Sequence, residues 1–216
     1  MKVGTKSVLF GVHCFFIHPI FVFKAWCKLY GFPWDPRLWV AFFVHDLGYL
    51  GKPNMDGAEG ETHVELGAEI MMWFFDIPKA LFCKNLDLIP NEKVFYWANF
   101  TRYHSRFYAK SDKVNPSRLC VADKLAIALE PSWLYLPRAN WSGEIEEYMS
   151  LAKQRESMGE KLNGQEASDL KSNNQEDWFK GVQAYMLRWV EAHKDEQTDH
   201  WTPDTKQAVN QEGVWQ

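Results

Sequence analysis

The chain is short of cysteine pairs, of long apolar runs and of positive charge, and each shortage closes off a class of protein. Its four cysteines, Cys14, Cys27, Cys83 and Cys120, form no CxxC pair and all sit among apolar residues. They read as buried thiols of a reducing compartment, not as a disulfide frame or a zinc clip. The opening run MKVGTKSVLFGVHCFFIHPIFVF lacks a small-residue cleavage site, and two histidines and Pro19 interrupt it short of the ~20 apolar residues a membrane span needs. A buried helix in a cytoplasmic protein with no membrane partner is the expectation. A formal charge of −4 argues against a polyanion surface such as one for duplex nucleic acid, while leaving room for a local basic pocket around one phosphate. There is no internal repeat and no alternating strand pattern longer than a few residues, so the class expected is all-α.

What the sequence has in quantity is aromatic. With 216 residues, 46% hydrophobic and 24% charged, the chain suits one globular domain with a substantial core. Eleven tryptophans and fifteen phenylalanines mostly belong in that core. The surplus supplies candidate base-stacking rings at Trp34, Trp39, Tyr49 and Tyr103, and leaves room for a homodimer face.

The helix signals fall in order. A first helix is expected from about Ser7 to Leu29, ending at Gly31-Phe32-Pro33. Asp35-Pro36 caps and opens a second, which runs to His45-Asp46. Residues 48 to 61, rich in glycine, form a loop with defined turns. Thr62-His63-Val64-Glu65 reads as a capping box for a third helix reaching about Phe75, and it explains Glu65. A short helix near Pro78–Lys84 and a longer one capped by Asn91 follow. Asn115-Pro116 opens the helix that carries Asp123, which Pro131 ends. Residues 143 to 157 are amphipathic, Glu156 to Glu176 is weakly patterned and reads as a mobile connection, and Trp178 to Val190 makes a last helix before a polar tail. The organisation expected is a helical domain over residues 1–150, a helical extension over 151–193 and the tail over 194–216.

The chemistry gathers around the stretch WVAFFVHDLGYLGKPNMDGAEGETH, whose centre is the adjacent pair His45-Asp46. Residues three and four away share a helix face, and on that test His18, Asp46, His63, His104 and Asp123 all occupy apolar faces. A lone buried histidine is ordinarily satisfied by a backbone carbonyl. Two inward carboxylates each need a cation or a strong donor. Lys124 is expected to point elsewhere, and the Arg102, Arg106, Lys110 stripe reads as a solvated face. A bound metal compensates both acids at once, and nitrogen with carboxylate oxygen suits manganese, iron, cobalt, nickel or zinc.

The order His18, His45-Asp46, His63, His104, Asp123 on successive helices resembles the HD-domain superfamily of metal-dependent phosphohydrolases. The strings HDLGYLGK and VADKLAIAL look like its second and last motif blocks, and the match covers roughly residues 10 to 130. His18 fits the first position better than His13, because Val22 and Ala25 follow it at helical spacing. The resemblance implies a single HD-type helical bundle in which His18, His45, Asp46 and Asp123 hold one metal. His63 and His104 then hold a second ion, as in the two-metal branch, or contact phosphate and donate a proton, as in the one-metal nucleotidase branch.

The reaction so implied is hydrolysis of a nucleotide, either a nucleoside phosphate or a cyclic nucleotide. Asp46 would bridge and orient the nucleophile, and His63 or His104 would serve the leaving group. Lys52 stands in the loop after the pair, Lys124 directly follows a ligand and Arg118 starts the last motif helix, so each is a candidate for phosphate. Two other classes share the scaffold. One is a di-iron oxygenase acting on a small phosphonate or polyol-like substrate, and the other is a non-catalytic nucleotide-binding module, against which the intact ligand set counts.

Overall fold

Proline, glycine and a few capping side chains decide where the helices break. The computed structural model describes residues 1–56, 58–78, 95–157, 174–195 and 197–202, and its described residues contain helices and no strand. Helix α1 (Val3–Phe10) stops at Gly11, and α2 (His18–Tyr30) starts afresh with Pro19 in its first turn. The single helix expected over this stretch is therefore two. Proline has no N–H for a mid-helix bond but suits a first turn, and the break leaves His13 in the connection.

Asp35 caps α3 (Pro36–Val44) as expected, its carboxylate accepting the Arg37 N–H at 3.0 Å. A 3-10 turn over Leu47–Tyr49 and the one-turn α4 (Ala58–Glu61) lead to α5 (Val64–Met71), which continues as a π-helical turn over Met72–Asp76. The capping box does not form. His63 is the N-cap residue with no side-chain cap, the Thr62 hydroxyl donates back to the Glu59 carbonyl, and Glu65 is held by Arg102 at 2.8 Å. A tertiary ion pair has displaced the local motif.

The expected helix near 78–84 and the cap at Asn91 lie outside the described residues, apart from Pro78, which is helical. In α6 (Tyr96–Arg102) the Trp97 and Ala98 N–H groups are satisfied by the buried carboxylate of Asp76, at 3.1 and 2.9 Å. After α7 (Arg106–Ser111), α8 (Arg118–Leu129) is capped by Ser117, two residues later than expected, its hydroxyl accepting the Cys120 N–H. Pro131 ends α8 but also begins α9 (Ser132–Ser142), a helix the sequence reading did not anticipate. Then come α10 (Glu144–Ser157) and α11 (Gln175–His193); the connection between them falls mostly outside the described residues.

Helix α8 is the axis. Leu119, Cys120, Val121, Ala122, Leu125 and Ala126 are all buried, with Asp123 among them. It packs between α2 and α11, while α5 pairs with α6 and also packs on α3. Two surface expectations change. The Arg102–Lys110 stripe is broken by turns between α6 and α7, and the Arg106 guanidinium lies over the Trp189 ring at 5.3 Å. The start of the tail folds back: Asp199 accepts the Trp201 and Thr202 N–H groups at 2.8 and 3.1 Å, and Trp201 packs on Tyr185 and His193. No described helix is long and apolar enough to cross a membrane.

Candidate metal centre

The six residues singled out in the sequence converge, five from around helix ends and one from the buried axis. His18 is the first residue of α2, His45 and Asp46 follow α3, His63 precedes α5, His104 lies just beyond α6, and Asp123 lies within α8. Asp46 adopts φ −99° and ψ 0°, the sparsely populated bridge region, where the chain leaves α3 for the 3-10 turn. Two glycines allow the close approach of these elements. A Cβ on Gly48 would stand 1.8 Å from the His63 carbonyl oxygen, and one on Gly67 would stand 2.6 Å from that of Val44. The path from Asp46 to His63 depends on the missing side chains.

Asp46 belongs to two groups. Its Oδ2 lies 3.1 Å from His45 Nε2 and 3.3 Å from His18 Nε2, and His18 Nε2 is 2.9 Å from Asp123 Oδ1. Its Oδ1 lies 3.4 Å from His104 Nε2 and 3.8 Å from His63 Nε2. Within each group, His18, His45, Asp46 and Asp123 or Asp46, His63 and His104, the ligand-type atoms all fall within 4.8 Å of one another. None of the six residues is more than 7% exposed.

Backbone carbonyls orient three of the imidazoles. His45 Nδ1 meets the Phe42 carbonyl at 3.1 Å, His63 Nδ1 that of Gly60 at 2.8 Å, and His104 Nδ1 that of Thr101 at 2.6 Å. A carbonyl only accepts, so each Nδ1 carries the hydrogen and each Nε2 is left for the centre. Tyr49 stacks on His63 with ring centroids 4.0 Å apart and planes 6° from parallel. That fixes the His63 ring further and commits the face of Tyr49 that the sequence reading offered to a base.

The charges are strongly coupled. Burial opposes ionisation of Asp46, yet the neighbouring His45 and His13 hold its carboxyl well below the usual range. Burial likewise opposes ionisation of Asp123, and Lys124 and His18 overcome it. Burial works against the charge on His45, but Asp46 and Asp123 raise it to about 10. In His18 burial prevails and lowers the pKa, and in His63 burial together with His104 pushes it well down.

Lys124 does not point elsewhere: its ammonium donates to Asp123 Oδ2 at 2.7 Å, so this acid has a cation of its own. Lys52 donates to the Thr62 hydroxyl, one residue before His63. Arg118 sits over the Tyr30 ring at 5.3 Å and lines surface grooves with Arg37 and Trp97 and with Tyr30 and Lys194. Neither groove is lined by any of the six. His13 and Glu144, which the sequence reading did not place at the site, pack beside it at 3.3 Å from each other. His13 was visible only as a rival to His18, and Glu144 only as one acid in an amphipathic stretch.

Comparison of the chain with family models, curated proteins and solved structures returns no match. The chemical fit to a metal therefore rests on the site. His45 Nε2 and Asp46 Oδ2 are buried, face each other, and lack a hydrogen-bond partner. Orphaned groups of this kind are costly in an apolar interior. An imidazole nitrogen and a carboxylate oxygen are also the donors that a divalent transition ion prefers. The residues present fit such an ion.

Proposed function

We propose that this protein is a metal-dependent phosphohydrolase of the HD type, acting on a nucleotide. The observation that carries the reading is the pair of unpartnered buried atoms, His45 Nε2 and Asp46 Oδ2, at the meeting point of His18 and Asp123. His18, His45, Asp46 and Asp123 would hold one divalent ion, and Asp46, His63 and His104 a second. When bound, such an ion supplies Lewis acidity that polarises a phosphoryl oxygen and acidifies water toward a pKa of ~7.

The chain does the rest. Carbonyls of Phe42, Gly60 and Thr101 hold three imidazoles in one tautomer, so no reorganisation is needed at the moment of reaction. Lys124 keeps Asp123 ionised. Phe42, Phe43 and Leu47 line the cavity against His18, His45 and Asp46, excluding water and strengthening every charge interaction inside. Where only the first ion is present, His63 and His104 are free to hydrogen-bond the leaving group. Lys52, tied to Thr62 beside His63, is the candidate for a phosphate oxygen.

A second reading, a di-iron oxygenase, uses the same division of Asp46, whose two oxygens face the two histidine groups and would serve a pair of ions in either reading. The test separates the two. A panel of nucleoside phosphates and cyclic nucleotides is incubated with manganese, cobalt, nickel, zinc or iron, and the products are identified by mass. Phosphate release that falls to background in His45→Ala and Asp46→Ala supports hydrolysis. Full activity in either variant sinks the site assignment, and a mixed-valent di-iron spin signal without phosphate release favours the oxygenase.

A further inference from the structure

Along α2 and α3 a row of large apolar side chains faces water. Phe16 and Trp34, which bracket α2 in the chain, are 72% and 85% exposed, and Ile20, Phe32, Trp39 and Phe43 are exposed as well. The rings touch in two groups. Near the start of α2, Phe15 meets Phe16 and Phe43, each with centroids 5.3 Å apart. Further along, Phe23 stacks on Trp39 at 4.8 Å, and Phe32 meets Trp34 at 4.6 Å. Trp39 and Phe43, four residues apart, share one face of α3 and join the groups. Single apolar side chains on a surface need no explanation, whereas a continuous patch marks an interaction surface.

Charge says what covers the patch. The chain as a whole carries −4, yet before Asp46 it holds Lys2, Lys6, Lys24, Lys28 and Arg37 against one acid, Asp35. That acid is taken by Arg37 at 2.6 Å. Lys24 and Lys28 follow Ile20 at successive four-residue steps, so all three lie along the outward side of α2. Both lysines are exposed, with no ion-pair partner among the described residues. Two copies of the chain meeting through this face would set one positive surface against another. An anionic bilayer does the opposite, since it takes aromatic rings into its interface and ammonium groups onto its headgroups.

We propose that the α2–α3 face docks this protein on the surface of an anionic lipid bilayer, with Phe16, Trp34 and their neighbours entering the interface and Lys24 and Lys28 on the headgroups. The expectation of no membrane partner rested on the lack of a spanning segment, which docking of this kind does not use. Phe43 also lines the small cavity against His18, His45 and Asp46, so the docked face borders the candidate centre. Docking is independent of the reaction proposed for that centre.

The test is flotation of the full-length protein with vesicles of phosphatidylcholine alone, or of phosphatidylcholine and phosphatidylserine in equal parts. The protein should float with the mixed vesicles, much less with the neutral ones, and the bound fraction should fall as salt is raised. Lys24→Gln with Lys28→Gln should weaken binding about thirtyfold, as for two cations near an anionic surface. Phe16→Ser with Trp34→Ser should weaken it by about tenfold or more for each side chain withdrawn from the lipid. All four positions are exposed, so circular dichroism and thermal midpoint should match the wild type. Trp34→Ser and Lys28→Gln alone serve where a double variant does not fold. Failure to float with the mixed vesicles, equal affinity for the neutral ones, or wild-type binding by either folded variant overturns the proposal. So does a lipid-free dimer, seen by sedimentation, that Phe16→Ser with Trp34→Ser converts to a monomer, because a second copy would then own the face.

Discussion

His63 Nε2 and His104 Nε2 stand 3.0 Å apart while each ring gives its Nδ1–H to a backbone carbonyl. Neutral rings held this way direct two lone pairs at each other, a contact made favourable only by a shared proton or a cation. His45 Nε2 and Asp46 Oδ2, 3.1 Å apart, are buried and make no hydrogen bond of their own.

Divalent ions are therefore expected to stabilise the folded chain. Manganese or cobalt at a hundred times its Kd should add about 2.7 kcal/mol, seen as a rise in thermal midpoint that chelator reverses. His63→Ala should take up one ion fewer than the wild type by elemental analysis. A midpoint indifferent to both metal and chelator contradicts the proposed centre.

Gly48→Ala tests the geometry without touching a ligand. The added methyl would meet the His63 carbonyl at 1.8 Å, a backbone atom with no freedom to swing aside, so the 3-10 turn or the start of α5 must move. Displacing a ligand by ~1 Å costs on the order of a hundredfold in rate. Gly51→Ala, at a positive φ of 83° with open space around its Cβ position, should cost some stability and spare the rate. Equal activity losses in the two variants would remove the special role of Gly48.

Lys124→Met leaves Asp123 buried without its ammonium partner. Breaking such a pair costs about 3–5 kcal/mol when nothing replaces the lost charge. The metal-free variant should therefore unfold at much lower denaturant than the metal-free wild type, and the gap should narrow once metal is added. A gap independent of metal would mean that Asp123 does not face the ion.

Asp199 makes the turn at Trp201 and Thr202 depend on acid. Burial opposes its charge, but Thr202, Arg106 and the Trp201 N–H hold its pKa below the usual value. A lowered carboxylate contributes stability above its unfolded pKa of about 3.8 and loses it as pH falls through the folded value. Hydrogen exchange at the Trp201 and Thr202 amides, which donate to this carboxylate, should accelerate relative to the intrinsic rate below about pH 4. In Asp199→Ala that protection should already be missing at neutral pH.

Sequence alone determined what depends on neighbours along the chain. The helical class, the Asp35 cap and the inward faces of His18, Asp46, His63, His104 and Asp123 are local properties, set by periodicity and by the company each residue keeps. Tertiary structure decided what depends on residues far apart. Arg102 drew Glu65 away from its capping box, Asp76 came to accept N–H groups at the start of α6, and Lys124 turned in to Asp123. Glu144 reached back across the chain to His13. Local hydrogen bonds are worth about 1 kcal/mol each, so a buried charge that needs a partner overrules them, and only the packed fold determines which partner lies within reach.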